Sequence, residues 1–297
     1  SHERIGGTFA LGCSQKTIEW LDEGYDLVIY ELSRICPFRP KTSIAFTVPQ
    51  WVNQLITLPD QLKTLIAGDN YKVLRNEINK CRKAGYKWRF SQSRKDFDYF
   101  YHHLYLPFVR SRHGDHAHVA PYPFQWDFWI KKAGGGLVLI DRGEVTVAGT
   151  ICVIADGVCY DIEMGVLDAD SVILQQGINT YLSWCVMEWG KDRGARFYNM
   201  GGSFGWKSHG AFRWKARWKS HVIRRKYPYR TFNFAANRIS PLLWERINTT
   251  GFLCESKDGF YSLILDKSDA PLTKIEFTEA INQTRQKGLR GVCVIAP

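Results

Sequence analysis

The sequence predicts an α+β fold, a mixed sheet with flanking helices, accompanied by a second, smaller lobe. Three observations lead there. Three consecutive strand signals, "GLVLIDRG", "VTVAGTICVIADG" and "VCYDIEMGV", are separated by turn pairs at Arg142-Gly143 and Asp156-Gly157, which makes them an antiparallel meander. A long apolar stripe follows and leads into a further strand, so a crossover helix covers one face of the sheet. The 297 residues, 45% hydrophobic and 14% aromatic, suffice for one large core or two of moderate size.

Residues 1–69 and 255–297 are read as the smaller lobe, built from the two ends of the chain. There "YDLVIYEL", "FYSLILD" and "GVCVIA" are strand-like, and "EFTEAINQTRQKG" is helical. Residues 70–254 form the main domain. It opens with "NYKVLRNEINKCRKAG", where Val73, Leu74, Ile78 and Cys81 recur at helical spacing and Gly85 supplies a C-cap. "YKWRFS" is a strand. "SRKDFDYFYHHLYLPFVRSRHG" begins at a serine cap, Ser93, and repeats aromatics every three to four residues, the pattern of a helix facing a core. "FQWDFWIKKAGG" is a short helix closed by glycines. After the meander, "SVILQQGINTYLSWCVMEWGKDRGA" places Ile173, Leu174, Ile178, Leu182, Cys185 and Val186 on one stripe and predicts one long helix; "RFYNMGGS" is a strand. From Phe212 to Lys219 apolar and basic residues alternate, which fits two structures. A strand would set Arg213, Lys215, Arg217 and Lys219 on one face; a helix would stack Trp214 on Trp218 and Lys215 on Lys219.

Charge is concentrated in one region. No Asp or Glu occurs from Arg193 to Trp244, and those 52 residues hold 12 Lys/Arg; taking 12 from the net +11 leaves the rest of the chain at −1. The basic residues interleave with Trp206, Trp214 and Trp218, a combination that suits phosphate-bearing partners: nucleic acid, a nucleotide-linked substrate or a coenzyme A pyrophosphate. No apolar run approaches the roughly 18 to 20 residues of a membrane-spanning helix. The first residues lack a basic segment followed by an apolar one, so no signal peptide and a cytoplasmic location are expected. The eight cysteines show no C-x-x-C spacing and are read as reduced core residues. "RHGDHAH" gathers His113, Asp115, His116 and His118, but with no second ligand pair at helical spacing it is read as a polar turn, and no metal is expected.

Residues 70 to 230 resemble the FemABX-like branch of the GNAT acyltransferase superfamily. "LRNEINKCRKAGYKW" is similar to the basic helix that opens the second lobe in that branch, and the order of meander, helix and strand is shared. "YNMGGSFGWKSHGAFRWKARW" is similar to the signature D-x-G-G/S … G-x-x-x-F-K-x-x-W/F. This chain has Asn199 where the signature has Asp, Trp214 where it has Phe, and Lys219 or Ser220 where a glycine would follow. The R/Q-x-x-G-x-G/A loop of the acyl-CoA members is matched in part, through Gln175, Gln176 and Gly177. The resemblance implies a GNAT-like sheet, a degenerate GNAT-like second lobe, and a short helix around Lys215. It also implies amide formation in a splayed β cleft, with aminoacyl-tRNA as co-substrate, a peptide or small-molecule amine as acceptor, and no bound cofactor. An acyl-CoA donor, or a catalytically inactive nucleic-acid-binding protein, are the alternatives.

On that resemblance Lys215 matches the signature lysine and would stabilise negative charge developing on the acyl donor. Asp161 and Glu163, alternate residues of the third meander strand, share a face and offer a proton acceptor. Gly201 and Gly202 would let backbone approach a substrate closely, with Trp214 beside it. Arg110 and Arg112 would hold a substrate carboxylate or phosphate, or else complement a helix C-terminus. Lys207, Arg213, Arg217, Lys219, Arg224, Arg225 and Lys226, with Gln176 and Gly177, are candidates for tRNA or coenzyme A phosphates.

Overall fold

Alternating apolar residues make strands of the first segments seen: β1 (Val28–Glu31), β2 (Ile44–Pro49) and β3 (Trp51–Thr57), the last burying Val52, Gln54 and Ile56 on one face. The computed structural model describes residues 27–31, 44–225, 230–236, 238, 240–266, 273–275, 278–279, 282 and 286–295. Helix α1 (Lys72–Lys83) buries Leu74, Ile78 and Cys81, as their spacing predicts, and β4 (Tyr86–Ser91) follows. Ser93 caps α2 (Arg94–Tyr99), its hydroxyl accepting the Asp96 N–H at 3.1 Å. That helix continues without a break through a π-helical turn, Phe100–Tyr105, into α3 (Leu106–His113). A second helical stretch, Tyr122–Phe124, runs on as a π-helix over Gln125–Lys132. The meander is present as β5 (Gly136–Arg142), β6 (Val145–Ala155) and β7 (Val158–Val166).

The single long helix expected next is two helices, α4 (Ser171–Gln175) and α5 (Ile178–Asp192). Gly177 separates them with φ of 90°, a left-handed conformation that only glycine adopts cheaply. A Cβ there would also lie 2.7 Å from the Glu77 Cβ, so α1 packs too close for any side chain. The chain then forms β8 (Phe197–Phe204), α6 (Gly210–Ala216), β9 (His221–Arg224), β10 (Thr231–Ala236) and α7 (Pro241–Thr250), the last capped by Ser240. β11 (Leu253–Ser256), β12 (Gly259–Leu265) and β13 (Leu289–Ile295) complete it. The helix expected within "EFTEAINQTRQKG" lies largely outside the described residues.

The described residues divide into two compact units. The central unit comprises Asn53–Gly201 and Lys215–Ser220. Its sheet has the order β4-β5-β6-β7-β8-β3, antiparallel from β4 to β7 and parallel between β7 and β8, so it is mixed, as expected. A core of Phe97, Phe100, Leu104, Trp126, Leu137 and Ile151 joins the aromatic helices to the meander. β7 passes so near the π turn that a Cβ at Gly165 would run into the backbone of Leu104 and Tyr105.

The terminal unit takes Ser1–Val52, Gly202–Trp214 and His221–Pro297. It includes residues 202–214 and 221–254, which the sequence reading placed in the main domain. It has two three-stranded sheets, β1-β10-β2 and β11-β12-β13, over a core that includes Phe46, Val48, Phe234, Leu243 and Leu263. Cys81, Cys152, Cys159, Cys185 and Cys254 are buried and unbridged, and Cys293 is half-buried. Cys13 and Cys36 lie outside the described residues. Among the described residues no helix is long and apolar enough to cross a membrane.

Candidate active site

β7 and β8 pair only over Val158–Tyr160 against Phe197–Asn199. Past that point no ladder joins them, and the two strands part at Asp161 and Met200. On its other side β7 bulges: Thr150 pairs with Met164 and Cys152 with Asp161, so Ile162 and Glu163 together oppose Ile151. A bulge re-aims the side chains around it, so the strict alternation expected for Asp161 and Glu163 is interrupted. The buried Thr150 hydroxyl donates to the Glu163 carbonyl oxygen at 2.8 Å, satisfying an acceptor at the bulge.

The two carboxyls remain within electrostatic reach of each other. Burial, and secondarily the charge of Asp161, pushes the Glu163 carboxyl up to about 7. Asp161 is raised by burial as well, against the opposing pull of the Tyr198 hydroxyl and the positive charge of Lys215. Tyr198 is fully buried; its hydroxyl donates to Asp161 Oδ2 at 2.8 Å and lies 3.3 Å from Ser183 Oγ on α5. The Tyr105 hydroxyl, which accepts the Ala120 N–H at 3.0 Å, is pushed up to about 12 by burial and then by the charge of Glu163.

On β8, Asn199 Oδ1 accepts the Gly201 N–H at 3.0 Å, holding Gly201 at φ of 73°. A Cβ on Gly201 would stand 3.8 Å from Lys215 Nζ and 4.0 Å from the Asp161 carbonyl oxygen. Gly201, Asp161 and Lys215 are thus brought together, while the Gly201 N–H, donated to Asn199, is not aimed at a substrate. Asn199 supplies the acceptor that an aspartate would, without its charge. Of the two forms open to residues 212–219, the structure takes the helix, but α6 stops at Ala216 and its register does not extend to Trp218 or Lys219. The Trp218 N–H donates to the Lys215 carbonyl at 3.1 Å, and Ser220 Oγ lies 3.0 Å from the same oxygen. Lys215 itself is only 7% exposed. A carboxyl titrating near neutrality and a buried lysine therefore line the opening between two strands, the means to accept a proton and to stabilise an oxyanion.

A family model of the acetyltransferase (GNAT) domain matches residues 69–219, just over half of the chain. The chain belongs to the GNAT family. Its structure is similar to FemX, with 12% identity and a TM-score of 0.47 over 79% of this chain and 71% of that one. It is also similar to L-PGS from Bacillus licheniformis, with 16% identity and a TM-score of 0.44 over 77% and 74%. A third likeness is to the C-terminal domain (DUF2156) of a protein described as a lysylphosphatidylglycerol synthetase from Agrobacterium fabrum. There the identity is 11% and the TM-score 0.44, over 66% of this chain and 62% of that one, so this chain spans about three fifths of that protein's length. No curated protein matches the sequence.

The other residues singled out from the GNAT resemblance are dispersed. Arg110 and Arg112 are exposed in the last turn of α3, where cations complement a helix C-terminus, and the Arg112 guanidinium lies 4.5 Å from the Phe108 ring centroid. In the terminal unit, the Lys207 amine donates to Ser262 Oγ at 2.6 Å and burial lowers it to about 8, which removes it from the exposed cations. Arg224 pairs with Glu255 at 2.6 Å, Arg225 lies over the Trp51 ring, Arg213 is exposed, and Gly202 and Trp214 are half-buried. In the central unit, Lys219 lies 4.8 Å from the Tyr71 ring centroid, and Arg217 Nη2 pairs with Glu77 Oε1 at 2.7 Å. The other Glu77 oxygen accepts from the Thr180 hydroxyl in the first turn of α5. Gln176 is tied to the fold, its Oε1 accepting from the Tyr86 hydroxyl at 2.5 Å. Lys226 lies outside the described residues. Sequence reasoning missed Tyr198, Ser183 and Glu77; the one signal for Tyr198 was its place beside Asn199 in an otherwise buried strand.

Proposed function

We propose that the protein is an N-acyltransferase that moves an aminoacyl group from aminoacyl-tRNA to the amine of a peptide or small-molecule acceptor, the FemABX-like form of GNAT chemistry. The observation that carries the acyl-transfer part is Glu163, a carboxyl pushed up to about 7 where β7 and β8 part, with Asp161 as its neighbour and Lys215 in electrostatic reach of Asp161. The acceptor amine loses its proton to Glu163 and attacks the ester carbonyl carbon. The C–N bond forms as the C–O bond to the ribose breaks, and the ribose oxygen leaves with a proton. Lys215 faces the oxyanion formed between the two events, and positioning of both substrates in the cleft supplies much of the rate.

Two features favour tRNA over coenzyme A as donor. The run of 12 Lys/Arg without a carboxylate between Arg193 and Trp244 suits a polyanion, with exposed Arg213 and Lys219 available to phosphates, whereas Trp218 is buried and Trp206 is stacked on Phe204. Gln176 and Gly177, which a coenzyme A pyrophosphate loop would use, are committed to Tyr86 and to packing on Glu77. Such a donor implies a cytoplasmic enzyme. The test offers the protein charged tRNA and acetyl-CoA separately, with a panel of amines and peptides, and follows the products by mass spectrometry. Aminoacyl transfer from tRNA is expected. Release of coenzyme A with no use of charged tRNA would establish the acyl-CoA alternative, and RNA binding with neither transfer would establish a binding protein on a GNAT scaffold.

A further inference from the structure

Two carboxyls stand where β7 and β8 part, and the fold treats them unequally. Asp161 is given a donor: the Tyr198 hydroxyl, on β8, places its one hydrogen on Oδ2 at 2.8 Å. Tyr198 is fully buried, and its oxygen lies 3.3 Å from the buried Ser183 hydroxyl on α5. With the tyrosine hydrogen already committed to Asp161, Ser183 is the donor at that contact. The chain from Ser183 through Tyr198 to Asp161 therefore runs in one direction and ends on a carboxylate oxygen that accepts. A proton on that oxygen would meet a second hydrogen. Glu163 has no side-chain donor among the described residues, and the nearby Thr150 hydroxyl goes to its backbone carbonyl instead.

We propose that Tyr198, backed by Ser183, is a positioning residue that fixes the negative charge of this pair on Asp161 and so leaves the exchangeable proton to Glu163. The inference rests on the acyl-transfer reading only for what Glu163 does with that proton. Burial is the largest influence on both carboxyls and raises each. The charge of Asp161 raises Glu163 further, whereas Asp161 is drawn the other way by Tyr198 and by the positive charge of Lys215 on α6. The remaining titratable neighbours add no charge. Burial keeps the thiols of Cys152 on β6 and Cys159 on β7 protonated, and Tyr105, facing Glu163 from the π turn, is pushed up to about 12. Of two neighbouring carboxyls, the one supplied with a donor becomes the fixed charge and the other the proton carrier.

The experiment follows the side-chain carboxyl carbons of the full-length protein by NMR as pH is raised, with Glu163→Gln and Asp161→Asn assigning the two signals. In the wild type Glu163 should titrate near pH 7 and Asp161 below it. Tyr198→Phe keeps the ring and removes the hydroxyl. The Asp161 midpoint should then rise, and Glu163, facing less charge, should fall by about one pH unit, a ten-fold loss of proton affinity. Ser183→Ala should move both midpoints in the same directions by less, and the acidic limb of kcat/KM should follow Glu163. Circular dichroism establishes that each variant is folded; if Tyr198→Phe is not, Ser183→Ala decides. Folded variants that lose turnover with both midpoints unmoved would overturn the inference and leave Tyr198 a packing residue. A wild type in which Asp161 titrates above Glu163 would overturn it too. Midpoints that move as expected, in a protein that transfers no acyl group from any donor, would sink the acyl-transfer reading and leave the role of Tyr198 standing. Transfer with fixed midpoints would do the reverse.

Discussion

At the N-terminus of α5, Glu77 has both carboxylate oxygens engaged, one by Thr180 and one by Arg217. Where β7 and β8 part, Glu163 sits in a similarly sheltered place with a second carboxyl as its neighbour, and among the described residues no side chain donates to it. The contrast shows what decides whether a glutamate in one small unit is scaffold or reagent. A carboxylate whose acceptors are filled by the fold serves as scaffold; one denied partners, solvent and countercharge holds its proton until neutrality and then gives it up readily.

The largest effect should come from giving Glu163 the inertness of Glu77. Glu163→Gln is expected to lower turnover about 100-fold or more, as loss of a general base does, and to abolish an acidic limb near pH 7 in kcat/KM. Stability should move the other way. Because the folded-state value of about 7 lies above the ordinary 4.5, the folded protein holds this proton more tightly than the unfolded chain. The resulting stabilisation is complete below the ordinary value and lost as pH rises through the folded one. Urea unfolding should therefore find Glu163→Gln more stable than the wild type at about pH 8, with the gap closing towards about pH 4.5. A wild type that is the more stable at the higher pH would mean that Glu163 is partnered after all, and the contrast with Glu77 would be gone.

Lys215→Ala tests the cationic half of the cleft. Turnover should fall on the order of 100-fold with donor binding largely kept, since the lysine is needed most by the oxyanion. Unchanged turnover would leave Glu163 as the cleft's sole chemical contributor.

Smaller effects separate exposed cations from those already spoken for. If the basic segment binds tRNA, log K against log salt should have a slope of about −3 or steeper, whereas coenzyme A should show a shallow one. Arg213→Ala should flatten the RNA slope by roughly 0.7 to 0.9, the loss of one contact, while Lys207→Ala should not, because its amine is turned to Ser262. The smallest change is in stability. Glu77→Gln weakens a partly exposed ion pair and should cost about 1 kcal/mol in urea unfolding.

Much of the fold was legible where one residue type repeats at one period. The stripe Leu74, Ile78, Cys81 gave α1, the Ser93 cap gave α2, and the turn pairs at Arg142-Gly143 and Asp156-Gly157 gave the meander. The break at Gly177 was hidden because the apolar stripe runs across it, and what forces the break is a contact with Glu77, distant in sequence. The bulge at Ile162 and Glu163 was invisible for a related reason: alternation counts residues along one strand, whereas a bulge is a mismatch between two. β2 and β3 went unread, although Pro49 closes the one and Pro59-Asp60 follow the other. At the site, Lys215 and Gly201 could be found from a motif, and the structure does bring them together. Glu77 could not, since on an amphipathic helix a lone glutamate reads as solvent-facing charge.

The π turn at Phe100–Tyr105 holds one residue more than an α-helical turn would need, and the helix on either side keeps its aromatic face against the core: Phe97 before it and Phe108 after it are both buried. Removing one residue inside the turn would restore regular hydrogen bonding but rotate one half of the helix against the other by about 100°. Either Phe97 or Phe108 would then swing out of the core, and Tyr105 would leave its place beside Glu163. To an evolving gene, a codon gained or lost in this turn matters more than which residue the codon encodes.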